Sequence, residues 1–161
     1  MHDHRRCRGR AVGGLIAVLL LCASASGSDA IDRFVKAEWV LVAELADVSP
    51  VVLAALQSRL GSDQPMAARG EPFEATDVVS GEMPSRRFVL AGRNGTDWFV
   101  AYEQGGYSHH LVLATFTVGE TDAEVTLLAR DQVGTHDDSA LGWRVTLDEL
   151  RDALSEGSLA P

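Results

Sequence analysis

The fold is decided by residues 86–118, which read RRFVLAGRNGTDWFVAYEQGGYSHHLVLATFTV. Two dipeptides divide this stretch, Asn94-Gly95 and Gly105-Gly106, and both are preferred in two-residue β-hairpin turns. The residues on either side of each turn are mostly apolar, as in strands that are buried in a sheet. With a further strand-like stretch near residue 124, the sequence predicts an antiparallel meander of four strands, at 86–93, 96–104, 107–118 and 124–131.

Two helices are marked by their ends. Ser49-Pro50 is a favourable helix start, with Ser49 as the cap, and Gly61 is a favourable stop. Thr146 and Glu149 have the spacing of a capping box, in which each side chain bonds the other residue's backbone N–H. The sequence therefore predicts helices near residues 50–60 and 147–155.

The segment Val35–Leu45 alternates in apolar character with a period of two, which favours an N-terminal strand. A helix over Ile31–Leu45 is the alternative, because Ala, Glu and Leu also favour helices. We expect the strand. Together with the meander and the two helices, it predicts a single α+β domain over residues 26–161.

Two-residue turns would also fix the register of the meander. Arg93 would pair with Thr96, so that Arg86 faces Glu103 and His110 lies diagonally from Glu103 on the same face. Both faces of the meander are apolar in the middle, whereas a sheet with one wet face alternates apolar and polar residues. We therefore expect both faces to be covered.

One end of the predicted sheet collects the polar and aromatic candidates for a binding surface. Tyr and Arg are enriched at protein interfaces, so we expect partner contacts there. The adjacent residues His109 and His110 point to opposite faces of a strand and cannot hold one metal ion together. The candidate binding residues are Arg86, Arg87, Tyr102, Glu103, Tyr107, His109 and His110.

Signals for catalysis are weak. Ser108, His110 and Glu103 have the residue types of a nucleophile, a base and an orienting acid, but no G-x-S-x-G elbow surrounds the serine. The His136–Asp138 loop offers metal-ligand residue types without a metal-binding spacing. The sequence therefore predicts no catalytic residue, no cofactor and no metal site, and a hydrolase is the weakest functional hypothesis.

The first 25 residues have the pattern of a secretory signal peptide. Basic residues precede an uncharged apolar run, Ala11–Ala23, and Ala23-Ser24-Ala25 is a small-x-small cleavage site. The run is shorter than the ~20 residues that a spanning helix needs, so a retained membrane anchor is disfavoured. The sequence predicts export to the periplasm or the medium. A lipid anchor at Cys22 is an alternative, disfavoured because Leu21 precedes it.

Removal of residues 1–25 takes away four arginines, one aspartate and both cysteines, which leaves 10 basic and 22 acidic residues and a net charge of −12. Such a charge disfavours nucleic acid and suits a cationic protein partner, and solubility alone is the alternative and simpler explanation of it. We expect a non-catalytic, exported binding module of the inhibitor or immunity type. The alternative is a small-molecule or lipid binder with a pocket between sheet and helices, which two apolar faces would also allow.

Overall fold

The computed structural model describes residues 27–61, 65–75, 82–106, 109–131 and 145–161. Within these residues the chain forms a six-stranded sheet whose strands follow one another in chain order, all antiparallel to their neighbours. The helices are α1 (Gly27–Lys36), α2 (Pro50–Leu60) and α3 (Leu147–Ser155), with a 3-10 turn at Leu45–Asp47. The strands are β1 (Val40–Val42), β2 (Arg86–Asn94), β3 (Asp97–Gln104), β4 (His110–Val118), β5 (Ala123–Asp131) and β6 (Leu159–Ala160).

The predicted α+β class, the four central strands and both predicted helices are confirmed. Gly61 ends α2 with a φ of 59°, and Thr146 and Glu149 form the predicted capping box at the start of α3. Ser49 precedes α2 as expected, but its side chain accepts no capping hydrogen bond. The predicted signal peptide and the His136–Asp138 loop lie outside the described residues.

The predicted N-terminal strand is wrong over its first part, because α1 extends to Lys36 and β1 covers only Val40–Val42. Ala30 and Phe34, four residues apart, bury one face of α1. Asp32 and Lys36 form an i,i+4 ion pair on its surface, with 2.7 Å between Oδ2 and Nζ. Helical periodicity therefore overrides the alternation that begins at residue 35.

The first hairpin turn is placed one residue later than predicted. Asn94 pairs with Asp97, so the central turn residues are Gly95 and Thr96, and of these only Gly95 has a positive φ, 59°. A glycine with positive φ at the first central position is typical of a type II′ turn, rather than the predicted type I′. As a result, Arg93 pairs with Trp98 instead of Thr96.

A β-bulge then shifts the register back by one residue. Phe88 pairs with Tyr102 and Leu90 with Ala101, which leaves Val89 as the extra residue on β2. Beyond the bulge, Glu103 pairs with Arg87 rather than with the predicted Arg86. The bulge also moves Phe88 to the opposite side of the sheet from Leu90, although the prediction placed both on one face.

The second predicted turn is also wrong. Gln104 pairs with His110, so the connection spans residues 105–109 and β4 begins at His110. Gly105 still donates its backbone N–H to Ser85 O at 2.9 Å, so the chain cannot reverse at this residue. Gly105 also fits closely beneath Glu74, since a Cβ there would lie 1.8 Å from the Glu74 carbonyl oxygen.

Both faces of the sheet are covered, as expected. On one face, α1, α3 and β6 contribute Phe34, Leu150 and Leu159 to a core with Phe99 and Leu113. On the other face, α2 contributes its buried residues to a second core. The buried members of this second core are Val48, Val52, Leu56, Phe88, Ala91, Trp98, Val100, Tyr102, Val112, Ala114 and Phe116.

Candidate functional site

The predicted binding residues that the structure describes lie at one end of the sheet, where β2 begins, β3 ends and β4 begins. Tyr107 lies outside the described residues. The sheet divides the others into two groups, because neighbouring residues of a strand point to opposite faces. Arg87, Glu103 and His109 lie on the face covered by α1 and α3, and Arg86, Tyr102 and His110 lie on the face covered by α2.

Glu103 is the centre of the first group. Its side chain is 1% exposed, and each of its carboxylate oxygens accepts a hydrogen bond. Arg87 donates through Nε to Oε2 at 2.6 Å, and His109 donates through Nε2 to Oε1 at 3.0 Å. Burial opposes ionisation, but the hydrogen bonds and charges of His109 and Arg87 outweigh it and hold the pKa of Glu103 below its ordinary value.

An aromatic residue that sequence reasoning missed joins this group. The Arg87 guanidinium carbon lies 4.4 Å from the centre of the Phe73 ring, and the Phe73 and His109 rings are 5.7 Å apart. Arg87 Nη1 also reaches the Glu71 carbonyl oxygen at 3.4 Å. We call Phe73, Arg87, Glu103 and His109 the Glu103 cluster. It holds the segment that contains Glu71 and Phe73 against the end of the sheet.

The predicted cluster of Arg86, Glu103 and His110 is therefore wrong in two of its three members. The later turn and the bulge together replace Arg86 with Arg87, and the longer β3–β4 connection replaces His110 with His109. His110 instead lies 3.1 Å from Asp131, measured from Nδ1 to Oδ1. Asp131, at the end of β5, is a second contact that the sequence did not indicate.

The second group contains a buried tyrosine. Tyr102 is fully buried, and its hydroxyl has no hydrogen-bond partner among the described residues. Burial raises the pKa of Tyr102, and the positive charges of Arg86 and Arg130 lower it in part. Tyr102 and Glu103 are thus too buried for direct contact with a partner, so the predicted contact surface at this end would be formed by the remaining residues.

The Glu103 cluster has limited chemical options. A carboxylate beside an imidazole can orient a general base, but Glu103 is also fixed by Arg87, and its low pKa makes it a weak base itself. Ser108, the nucleophile of the hydrolase hypothesis, lies outside the described residues. Within the described part of the chain, no three His, Cys, Asp or Glu side chains are grouped so that they could hold a metal ion.

A small cavity lies beside α1 at the opposite end of the sheet. Its walls include Phe34, Trp39 and Trp98, and its volume is about 10 Å³. Such a volume is near the lower limit of ~10–15 Å³ for one water molecule. This cavity has no room for a lipid or a small-molecule ligand, so it gives no support to the hypothesis of a pocket between sheet and helices.

The edge of the sheet at β1 is apolar and exposed. Val40 is 61% exposed and Leu41 is 51% exposed. Glu38 and Glu44, on either side of the strand, are exposed as well.

No helix within the described ranges is long and apolar enough to cross a membrane. Comparisons of the chain with protein-family models, with curated proteins and with solved structures find no match.

Proposed function

We propose that the chain is an exported, non-catalytic module that binds a cationic protein partner through the β1 edge of its sheet. The observation that carries this proposal is the exposed apolar edge at Val40 and Leu41. Large apolar side chains on an exposed strand edge are uncommon in monomeric proteins, because such an edge invites pairing with another chain.

The pairing of β1 supports this use of the edge. β1 pairs with β2 through three residues, from Val40 opposite Arg93 to Val42 opposite Ala91. Among the described residues, no strand pairs with the other side of β1. An extended segment of a partner can therefore add to the sheet through backbone hydrogen bonds, while the exposed side chains of Val40 and Leu41 add apolar contact.

Charge favours a cationic partner over a second copy of the chain. Glu38, Glu44 and Asp47 are exposed around β1. They outnumber the nearby cations Arg93, which is exposed opposite Val40, and Lys36, which is paired with Asp32. Two copies joined at this edge would bring these acidic groups together, within chains that each carry a net charge of −12 after removal of residues 1–25. A basic segment would instead be attracted.

Export has its own test. We expect the mature protein to begin at Ser26, because Ala23-Ser24-Ala25 follows the apolar run. The measurement is the N-terminal sequence and intact mass of protein recovered from the cell envelope and the medium of cells that express the full chain. Recovery of a chain that retains Met1 would exclude cleavage, and an acylated N-terminus at Cys22 would establish a lipoprotein.

Binding at β1 is tested by adding a charge to the edge. We expect Leu41→Lys to weaken partner binding about tenfold or more, which corresponds to about 1.4 kcal/mol or more. Met83→Lys is the matched control, because Met83 is 42% exposed and lies outside β1. The measurement compares the proteins that the wild type and both variants capture from the envelope, followed by binding kinetics with the captured partner.

The salt dependence of these kinetics completes the test. The association rate should fall between low and high salt, because the Debye length shortens from ~10 Å at 0.1 M to ~3 Å at 1 M. A partner that binds Leu41→Lys as well as it binds the wild type would contradict the assignment of the β1 edge. A wild-type dimer in sedimentation that Leu41→Lys dissociates would show that a second copy occupies the edge.

A further inference from the structure

Three buried polar atoms at one end of the sheet lack hydrogen-bond partners among the described residues. They are the Nε atom of Arg86, the hydroxyl oxygen of Tyr102 and the Oε1 atom of Gln104. Buried polar atoms in folded proteins nearly always have a partner, so three neighbouring exceptions require an explanation. A bound group that supplies the missing bonds is one explanation, and it matters here because all three atoms lie on one face.

The strand register brings the three residues together. Arg86 and Gln104 are directly paired across β2 and β3, which places their Cβ atoms about 4.5–5.5 Å apart. Tyr102 lies two residues before Gln104, so its side chain is on the same face and diagonal to Arg86, at ~7–8 Å between backbones. Long side chains at these separations can reach one common ligand.

The cluster carries positive charge that is not neutralised by described residues. Neither Arg86 nor Arg130 forms an ion pair with any described acidic group, and both lie close enough to affect the ionisation of Tyr102. The contrast with Arg87 is clear, since Arg87 is paired with Glu103 at 2.6 Å. The carboxylate of Asp131, at the end of β5, is bonded to His110.

We propose that Arg86, Tyr102 and Gln104 form a binding site for a small oxyanion, which is a phosphate or carboxylate group. Arg86 donates from its guanidinium and Tyr102 donates from its hydroxyl, and charge-assisted bonds of this kind are stronger than bonds between neutral groups. A half-turn of the Gln104 amide presents its NH₂ group as a further donor. Arg86 and Gln104 are half-buried, so the site reaches the protein surface.

The site is independent of the β1 edge and does not rest on the proposed protein partner. It lies at the start of β2 and the end of β3, whereas β1 pairs with the other end of β2. A variant that loses oxyanion binding should still bind the protein partner, and a variant that loses partner binding should still bind the oxyanion. The two proposals therefore succeed or fail separately.

The test uses protein purified from cells that express the full chain. Inorganic phosphate and acetate are titrated separately at constant ionic strength, and binding is followed through the ¹³Cζ signal of Tyr102 and the Nε–H signal of Arg86. Tyr107→Phe removes the only other tyrosine and so assigns the ¹³Cζ signal. We expect a saturable shift with one of the two anions, and the responding anion identifies a phosphate or a carboxylate site.

Three variants separate a built site from general attraction of anions. Tyr102→Phe and Arg86→Gln should each weaken binding about tenfold or more, because each removes a donor to a charged group. Arg93→Gln removes the same charge from the far end of β2 and should leave the affinity unchanged. Should Arg86→Gln fail to fold, Arg86→Lys keeps the charge but loses the Nε donor and should weaken binding.

Several results would overturn the proposal. If neither phosphate nor acetate produces a saturable shift of the Tyr102 signal, buried water rather than an anion fills the cluster. Equal weakening by Arg93→Gln and Arg86→Gln would reveal attraction to overall charge. An unchanged affinity in Tyr102→Phe would place the anion elsewhere.

Discussion

Replacement of Glu103 with glutamine is expected to lower the free energy of unfolding by about 3 kcal/mol at neutral pH, because it breaks a nearly dry ion pair and leaves Arg87 without its carboxylate. Glu103 is 1% exposed and accepts bonds from both Arg87 and His109, so solvent cannot replace them. The measurement is denaturant unfolding of the wild type and Glu103→Gln. The matched control is Asp148→Asn, which removes the 86% exposed partner of Arg151 and should change stability little.

The same substitution should alter the pH dependence of stability. The folded-state pKa of Glu103 lies below the ordinary value of a glutamate. The ionised carboxylate therefore stabilises the fold, and this stabilisation is complete above the unfolded-state pKa. This stabilisation is lost as the pH falls through the folded-state pKa. The difference between the wild type and Glu103→Gln should therefore be largest at neutral pH and should shrink in acid. A difference that stays constant down to acid pH would contradict the assigned role of the carboxylate.

Truncation of Phe99 to alanine is expected to cost about 3–5 kcal/mol of stability, because it opens a cavity in the core under α1. Phe99 is fully buried, and its ring packs edge-on against Phe34 and Trp39 at centroid distances of 5.2 and 5.0 Å. Gly92 also lies close to the ring, since an added Cβ there would approach Phe99 Cε1 to 2.4 Å. Phe34, Trp39 and Gly92 thus pack tightly around the ring.

The contact with Gly92 supplies a control for this expectation. Gly92→Ala should destabilise the wild type by about 1–3 kcal/mol through overpacking. The same change in a Phe99→Leu background should cost less, since the smaller side chain leaves space for the methyl group. A double-mutant cycle by thermal unfolding measures this coupling. Strictly additive effects would show that Gly92 and Phe99 do not limit each other.

The sequence predicts the central elements of this fold because their ends are defined by local chemistry. The capping box of Thr146 and Glu149 depends only on residues three positions apart, with Glu149 Oε2 accepting the Thr146 N–H at 2.7 Å. Gly61 ends α2 for a similar reason, since its left-handed conformation is costly for other residues. Buried strands between glycine-containing turns are likewise recognisable from neighbouring residues alone.

The pairing inside the site depends on features that neighbouring residues do not reveal. The extra residue Val89 in β2 has no local signature, yet without it the observed turn would set Phe88 rather than Arg87 opposite Glu103. Gly105 resembles a turn residue, but tertiary contacts with Ser85 and Glu74 retain it alongside β2. The sequence therefore placed Glu103 at the correct end of the sheet but assigned it the neighbours of its actual partners, Arg86 and His110 instead of Arg87 and His109.

Phe73 could not be found from the sequence for a related reason. Its segment joins the sheet through Ala67, whose backbone N–H donates to Arg86 O and whose carbonyl accepts from Phe88 N, each at 2.9 Å. These bonds connect distant parts of the chain and follow no periodic pattern. An isolated phenylalanine in such a segment gives no signal that it will lie over Arg87.

The strand order has a consequence for how the sheet opens and closes. β2 to β5 are joined by short connections, whereas the whole chain from residue 43 to residue 85 separates β1 from β2. The entropy lost on closing a loop grows with its length. Pairing of β1 therefore costs more entropy than pairing of the central strands, and only three residue pairs offset that cost. Local opening should therefore release β1 before the central strands, and hydrogen exchange at Leu41 and Val100 would reveal that order. A partner strand held against β1 would slow this exchange, so the exchange rate of this weakly paired strand would report directly on binding.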